Sequence, residues 1–196
     1  MIKSNLIFKE ITSCASDHIK NIRHLRNLKN IRKFMFNDHI ITEQEHLKYV
    51  AALKNNKKNL VFIIFNHYNE IIGSVYLHSI NKYHKKADWG FYLNPKIKIG
   101  AVIGYYFIEF FFNQLNFEKL NCEVISNNTS TQILFKKFLF KEEGIKKKNI
   151  IKDYRRMDVY LYGLTKSNWN NSKSELSEFS SFFDKYNVKF DFDNIF

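Results

Sequence analysis

Cysteine is scarce in this chain, and the motifs of several large enzyme classes are absent. Of 196 residues, only Cys14 and Cys122 are cysteines, too few and too isolated for a disulfide framework or a zinc site. Neither the P-loop pattern nor the dinucleotide-binding G-x-G-x-x-G occurs, and the seven histidines show no metal-ligand spacing. The sequence therefore predicts a cytoplasmic protein from a reducing compartment, with no metal.

Acidic residues are also few compared with basic ones, 19 against 31, which gives a formal net charge of +12. Such a balance is typical of proteins that bind nucleic acid or anionic membranes. Here the basic residues are scattered along the chain, and the run 146–148 of three lysines is interpreted as a solvated loop. We therefore expect no nucleic-acid and no membrane partner, because an anionic small ligand explains part of the charge equally well.

No apolar run reaches the length of a membrane span. The longest, residues 99–112, is interrupted by Glu109 and falls short of the ~20 residues required. Residues 1–9 lack the features of a signal peptide. With 45% hydrophobic and 17% aromatic residues, the chain has enough apolar surface for one core.

Hydrophobic periodicity predicts a mixed α/β layer architecture. The first helix follows possible caps at Ser16 and Asp17, and the second begins with a capping box formed by Thr42 and Glu45. Two apolar runs on either side of a polar turn predict an antiparallel hairpin. The predicted strands are residues 5–9, 60–65, 71–77, 88–93, 120–125 and 157–164, and the predicted helices are residues 16–26, 42–53, 105–115 and 130–138.

The polar sequence after residue 164 suggests that the domain ends there. We expect a catalytic or binding domain over residues 1–164 and a polar appendage over residues 165–196, with a weak amphipathic segment at 176–186. Three fates are open for the appendage: packing on the domain, recruitment of a neighbouring enzyme, or mobility.

The clearest chemical signal is a strand, a glycine-containing loop and a long apolar helix in residues 88–112. Backbone N–H groups at a helix N-terminus carry partial positive charge and form a pocket for an anion such as pyrophosphate. Gly100, Ala101 and Gly104 would allow such a ligand to approach closely. An ordinary strand-to-helix turn has the same local pattern, so this stretch alone does not decide the function.

Three segments together resemble the GNAT superfamily of acetyl-CoA-dependent N-acetyltransferases: residues 87–95, 120–124 and 128–144. A narrower resemblance is to the UDP-4-amino-4,6-dideoxy-N-acetyl-β-L-altrosamine N-acetyltransferases of pseudaminic acid biosynthesis. It covers about residues 5–169. The residues that carry it are Arg26, Asn27, Arg32, Met35, Phe36, Glu45, His46 and Leu47 near the start, and Asp158, Val159, Tyr162, Gly163, Leu164 and Trp169 near the end.

The resemblance implies a central, mostly antiparallel sheet flanked by helices, in which the fourth and fifth strands splay apart around the thioester arm of acetyl-CoA. It implies direct acetyl transfer to the C4 amine of a nucleotide-linked deoxyamino sugar, on the way to surface or flagellar glycans. The residues implied to bind acetyl-CoA are Phe91, Tyr92, Leu93, Lys98, Gly100, Ala101, Val102, Ile103, Gly104, Asn128 and Phe135.

Two features depart from the family pattern. Ile99 and Val102 stand where the loop usually has its basic residue and first glycine, although another frame uses Lys98, Gly100 and Ala101. Phe135 stands where many members have a tyrosine that protonates the departing thiolate, which a phenyl ring cannot do.

The resemblance also suggests which side chains act on the acceptor. Glu123 is the first candidate for the general base, directly or through water, and an ion pair with Lys or Arg is the alternative. Tyr92 is placed with it in the catalytic cleft. Cys122 is not expected to be a nucleophile, because burial and a nearby carboxylate would raise its thiol pKa. The implied acceptor-binding residues are Arg26 and His46 for phosphate oxygens, Met35, Phe36 and Tyr49 for a C6 methyl group, and His78.

Two other functions stay open. A GNAT enzyme could acetylate a different amine, such as another amino sugar or a protein N-terminus. Alternatively, Phe135 and the altered loop could mark a fold that has lost catalysis and serves as a binding module. An exposed hydrophobic sheet edge would also allow a homodimer.

Overall fold

The computed structural model describes residues 3–192, without the side chains of residues 177–181. The strands are β1 (Ser4–Glu10), β2 (Leu60–Phe65), β3 (Ile71–Asn81), β4 (Lys86–Leu93), β5 (Lys119–Ile125), β6 (Lys141–Lys152), β7 (Arg155–Thr165) and β8 (Tyr186–Asp191). The helices are α1 (Ser16–Arg26), α2 (Lys29–Arg32), α3 (Glu43–Leu53), α4 (Gly100–Glu109), α5 (Thr129–Lys137), α6 (Lys166–Ser172) and α7 (Ser180–Phe183).

All eight strands form one sheet in the order β6-β7-β5-β4-β3-β2-β1-β8. Five of the neighbouring pairs are antiparallel, and the pairs β4–β5 and β1–β8 are parallel. Helices cover both faces, as expected for a layered α/β fold. The predicted fold class, a mostly antiparallel sheet flanked by helices, is confirmed.

Local sequence rules account for the helices of the first half. The capping box is present, since the Thr42 hydroxyl accepts from the N–H of Glu45 at 3.2 Å and the Glu45 carboxylate accepts from the N–H of Thr42 at 2.7 Å. Helix α1 has the predicted bounds, but its N-cap residue is Ala15, which offers no side-chain cap within the described chain. The predicted capping by Ser16 or Asp17 is therefore wrong.

The hairpin of β2 and β3 supplies the centre of the sheet. Every residue of β2 is buried, because its alternate side chains enter two different cores. Phe62 and Ile64 pack toward α4, whereas Ile63 and Phe65 pack toward α1 and α3. The predicted antiparallel pairing is confirmed, with a bulge between Ile64 and Phe65.

Two predictions are wrong, one about where a helix begins and one about the structure that contains the lysine run. Helix α4 begins at Gly100 rather than at residue 105, and it continues into a π-helical turn, Phe110–Gln114. Glycine has a low helix propensity, but Gly104 lets α4 pack closely on Phe138, whose ring would overlap a Cβ atom at that position. The lysine run 146–148 lies in strand β6, with exposed side chains, and not in a loop.

The predicted appendage packs on the sheet as far as residue 192. Strand β8 pairs in parallel with β1 along its length, and Phe190 stacks on Phe110 with ring centroids 3.8 Å apart. Trp169 is fully buried, and its indole N–H donates to the Glu109 carboxylate at 2.6 Å. Of the three fates left open by the sequence, packing on the domain is the one observed.

Candidate active site

The splay between β4 and β5 creates the main cleft. The two strands pair only where Lys86, Ala87 and Asp88 face Lys119, Leu120 and Asn121. Beyond that point β4 stays with β3 as far as Leu93, and β5 stays with β7 as far as Ile125. The strands therefore separate, and N–H groups on the open edge of β4 are available to a ligand. The predicted splay is confirmed.

A cavity of about 520 Å³ occupies the splay. Its walls come from β4, β5, the start of α5 and the region around α2. It brings together six of the predicted acetyl-CoA residues: Phe91, Tyr92, Leu93, Lys98, Asn128 and Phe135. Asn128 is the N-cap of α5 and accepts from the N–H of Thr131.

The other predicted acetyl-CoA residues form the first turn of α4. The N-cap, Ile99, offers no side-chain cap within residues 3–192, so the N–H groups of Gly100, Ala101 and Val102 remain available for an anion. The side chains of Val102 and Ile103 are fully buried, and the N–H of Ile103 already donates to the Ile99 carbonyl at 3.1 Å, which leaves the backbone of Val102 to reach a ligand. Since Gly104 is committed to packing, the geometry favours the frame of Lys98, Gly100 and Ala101.

A second cavity, of about 420 Å³, is lined by residues of α1, α3, the segment between α2 and α3, and strands β2, β3 and β4. It shares Met35, Tyr76 and Tyr92 with the first, so these residues form a common wall. Gly90 makes this wall possible, because the Tyr76 ring occupies the space that a Cβ atom would need. Five predicted acceptor residues line the second cavity: Arg26, Met35, Phe36, His46 and Tyr49.

His78 is the predicted acceptor residue that the fold places elsewhere. Its imidazole lies 3.6 Å from the Asp88 carboxylate and faces Tyr76 with ring centroids 6.0 Å apart. Its side chain is 48% exposed. The reason is the register of β3, which places His78 opposite Asp88, at the closed end of the splay.

Arg26 is the strongest electrostatic feature of the second cavity. Its Nη2 donates to the carbonyl of Asn37 at 2.9 Å, whereas Nη1 is buried without a hydrogen-bond partner among the described residues. Burial lowers the pKa of this guanidinium, but an arginine stays charged at neutral pH. An unpaired charged N–H group in a cavity is costly unless a ligand accepts from it.

The remaining titratable groups of this cavity are held neutral or are already paired. Burial, assisted by Arg23, lowers the pKa of His46, so its imidazole is neutral at pH 7. Burial raises the pKa of Tyr76 to about 12 and the pKa of Tyr92 further, so both hydroxyls remain protonated. The Glu45 carboxylate is engaged by Thr42 and by His39, 3.3 Å away.

Glu123 lines the first cavity, at its β5 wall. Its carboxylate forms an ion pair with Lys146 at 2.5 Å, which is the alternative that the sequence left open beside general-base catalysis. The thiol of its neighbour Cys122 is fully buried, and burial together with Asp88 raises its pKa well above the usual range. The prediction that Cys122 is no nucleophile agrees with this environment.

An aromatic cluster closes the inner end of the first cavity. Phe135 is 2% exposed and packs on Trp89, Phe140 and Tyr162. The indole N–H of Trp89 is buried and has no acceptor within the described part of the chain. Sequence reasoning assigned no role to Trp89 or Tyr76. Trp89 lies in the segment 87–95 that carries the resemblance, whereas Tyr76 belongs to none of the segments that carry it.

Residues 3–192 contain neither a cluster of metal ligands nor a membrane-spanning helix. No group of three or more His, Cys, Asp or Glu side chains is placed to hold a metal ion in this range. None of the helices in this range is both long and apolar enough to cross a membrane.

Comparison with known proteins adds to this geometry. A family model described as "Acetyltransferase (GNAT) domain" matches residues 11–161. The fold is similar to a spermidine N-acetyltransferase from Vibrio cholerae solved with CoA and spermine, with a TM-score of 0.78 and 20% identity over 85% of this chain and 98% of that one. A dodecameric structure of a Vibrio cholerae spermidine N-acetyltransferase gives a TM-score of 0.71 and 19% identity, over 85% and 96%.

Proposed function

Since this chain belongs to the GNAT acetyltransferase family, and is therefore an N-acetyltransferase that uses acetyl-CoA, we propose a nucleotide-linked 4-amino-4,6-dideoxy sugar as its acceptor. The acetyl group would be transferred to the 4-amino group. The sugar would be UDP-4-amino-4,6-dideoxy-N-acetyl-β-L-altrosamine, an intermediate of pseudaminic acid biosynthesis that serves flagellin or surface glycosylation.

The observation that carries this proposal is the unpaired Nη1 of Arg26. Arginine binds phosphate through charge-assisted, forked hydrogen bonds. The phosphate oxygens of a nucleoside diphosphate would supply the hydrogen-bond acceptor that Nη1 lacks. His46, although neutral, has a ring N–H that can donate to the same group. Together they favour an anionic acceptor in the second cavity.

A polyamine fits this cavity less well, although the similar Vibrio cholerae enzymes acetylate spermidine. A polycation requires carboxylates that are free to pair with it. Among the described residues that line the cavity, Glu45 carries the only carboxylate, and it is already engaged. Arg26 would repel a polycation directly.

The apolar wall of the cavity suits a deoxy sugar. Met35 and Phe36 lie on one side, and the hydroxyls of Tyr76 and Tyr92 lie on the wall shared with the acetyl-CoA cleft. A methyl group at C6 would gain from apolar contact, while the sugar hydroxyls would find donors. This arrangement supports presentation of the amine toward the splay.

The proposed mechanism requires mainly alignment from the protein. Acetyl-CoA supplies a thioester that is already activated. N–H groups on the open edge of β4 hydrogen-bond to the reacting carbonyl oxygen and stabilise the charge that develops there. Glu123, which is paired with Lys146, receives the proton that the amine loses. Because Glu123 lines the acetyl-CoA cleft and not the acceptor cavity, a water molecule carries the proton between them.

A thiol-release assay with acetyl-CoA tests the acceptor. We expect turnover with the altrosamine sugar, less with its bacillosamine-pathway stereoisomer, and none with spermidine. Arg26→Met should raise the KM for the sugar about tenfold or more, since a hydrogen bond to a charged group contributes about 1.5–3 kcal/mol. Arg156→Gln, on exposed β6–β7 surface, is the matched control. Turnover of spermidine alone would overturn the proposal.

The organisation and assembly of the chain remain predictions. We retain the division into a domain over residues 1–164 and a segment over residues 165–196, which packs on that domain as far as residue 192, together with a cytoplasmic location and a homodimer. The edge strand β6 exposes lysines, which oppose edge-to-edge pairing there, so a dimer through a sheet edge would use the other edge strand, β8.

A further inference from the structure

We infer that the indole N–H of Trp89 donates a hydrogen bond to the sulfur of CoA as the thiolate leaves. It would stabilise the thiolate at the point in the reaction where many family members use the hydroxyl of a tyrosine, which Phe135 lacks. This inference rests on acetyl-CoA use and is independent of which amine is the acceptor.

The position of Trp89 supports this role. Asp88 is the last residue of β4 that pairs with β5, so Trp89 is the first residue inside the splay. It lines the acetyl-CoA cleft while being 3% exposed. Its ring centroid lies 5.3 Å from that of Phe135, which places the two side chains at the same end of the cleft.

The unsatisfied N–H group points to a ligand. The indole nitrogen is a donor only, and burying it without an acceptor destabilises the protein. The other buried tryptophan, Trp169, has its N–H satisfied by Glu109. Trp89 lacks a partner within the described residues, and an acceptor in the cleft would remove the penalty.

The chemistry of the step is balanced without a general acid. The amine nitrogen forms the new C–N bond, the C–S bond breaks, and its electron pair goes to sulfur. The indole keeps its proton and stabilises the resulting thiolate by a charge-assisted hydrogen bond. The proton of the amine goes to Glu123 through water, and the thiolate takes a proton from solvent after release.

Titration of the thiol of bound CoA tests the inference without any acceptor. Thiolate absorbance in the ultraviolet is followed against pH for the wild-type complex and for Trp89→Phe, with saturating CoA and with folding checked by circular dichroism. We expect the bound thiol to ionise at higher pH in Trp89→Phe. Tyr68→Phe is the control, since Tyr68 is an exposed residue of the β2–β3 turn and does not line the cleft, and it should titrate like the wild type.

Kinetics give a second readout. Trp89→Phe should lower kcat about tenfold or more with little change in the KM for acetyl-CoA, and adding Phe135→Tyr should restore part of the loss by supplying a hydroxyl donor. A Trp89→Phe complex that binds CoA and titrates like the wild type would overturn the inference. If the thiol of bound CoA ionises at higher pH in Trp89→Phe, as expected, but the wild type does not turn over the sugar, only the proposed acceptor is contradicted.

Discussion

The acetyl-CoA cleft and the acceptor cavity share Met35, Tyr76 and Tyr92, yet they are constructed differently. On the acetyl-CoA side, buried aromatic side chains and backbone amides provide the contacts, as in the cluster of Trp89 and Phe135. On the acceptor side, the main features are polar side chains such as Arg26, whose Nη1 has no partner among the described residues. Backbone amides bind the thioester carbonyl and the pyrophosphate of acetyl-CoA, which do not change with the acceptor, whereas side chains distinguish one amine from another.

The largest effect should come from the packing beneath the acetyl-CoA side. Trp169→Ala removes a fully buried side chain that packs on Tyr105 and Phe138. We expect the free energy of unfolding to fall by about 3–5 kcal/mol, measured by urea denaturation. A loss below about 1 kcal/mol would contradict the packing of this segment. If the comparison holds, acetyl-CoA affinity should fall more than acceptor affinity, since α4 and α5 rest on this residue.

A pair of glycine variants separates packing from phosphate contact. A Cβ atom at position 104 would overlap the Phe138 ring, whereas one at position 100 would lie 3.7 Å from Leu93, an ordinary contact. Gly104→Ala should therefore destabilise the protein by about 1–3 kcal/mol and weaken acetyl-CoA binding. Gly100→Ala keeps its N–H and should be nearly neutral in both thermal unfolding and calorimetric acetyl-CoA titration. Equal effects of the two variants would refute this assignment.

The shared wall offers a sharper division between the two sides. Tyr92→Phe removes a hydroxyl near Ser74 and Arg26 without changing the ring. Loss of a neutral hydrogen bond costs about 0.5–1.5 kcal/mol of binding free energy. The KM for the acceptor should therefore rise up to about tenfold, while the KM for acetyl-CoA stays constant. Tyr83→Phe, on the exposed β3–β4 turn, serves as the control. A change confined to the KM for acetyl-CoA would reverse the assignment of the hydroxyl.

The smallest effect concerns pH. The pKa of His46 is lower in the folded protein than in the unfolded chain, so the unfolded chain binds more protons as the pH falls. The stability that goes with neutral His46 is present above the unfolded pKa of about 6.5 and is lost below it. The free energy of unfolding is measured in urea at about pH 7.5 and about pH 5.5. On going to the lower pH, this free energy should fall less for His46→Gln than for the wild type. His84→Gln, at an exposed position, should follow the wild type.

Sequence reasoning succeeded where the determinants are local. The capping box at Thr42, the bounds of α1 and the β2–β3 hairpin depend on neighbouring residues, and all three were predicted. It failed where a distant residue decides: α4 starts at Gly100 because of its packing against Phe138 and the core. The polar residues after 165 gave no local sign that Trp169 and Phe190 complete that core.

The candidate site was predicted unevenly for the same reason. The structure brings Arg26, Met35 and His46, which the resemblance implies for the acceptor, together around one cavity, although these residues show no motif of their own. It does not bring His78 to that cavity, because strand register rather than sequence distance decides which β3 side chains face it. Tyr76 could have been found from that register, since it stands opposite Gly90, where the absence of a side chain leaves room for its ring.

The parallel pairing of β8 with β1 has a consequence for the time course of synthesis. Asn5 faces Asn187 across this pair, so β1 can complete its pairing only after the ribosome has added a further 182 residues. Contacts of such sequence separation carry a large loop-closure cost and form slowly. Until β8 is synthesised, β1 keeps one edge open and the ring of Phe110 lacks its stacking partner Phe190, so an apolar part of the nascent chain stays exposed during that time.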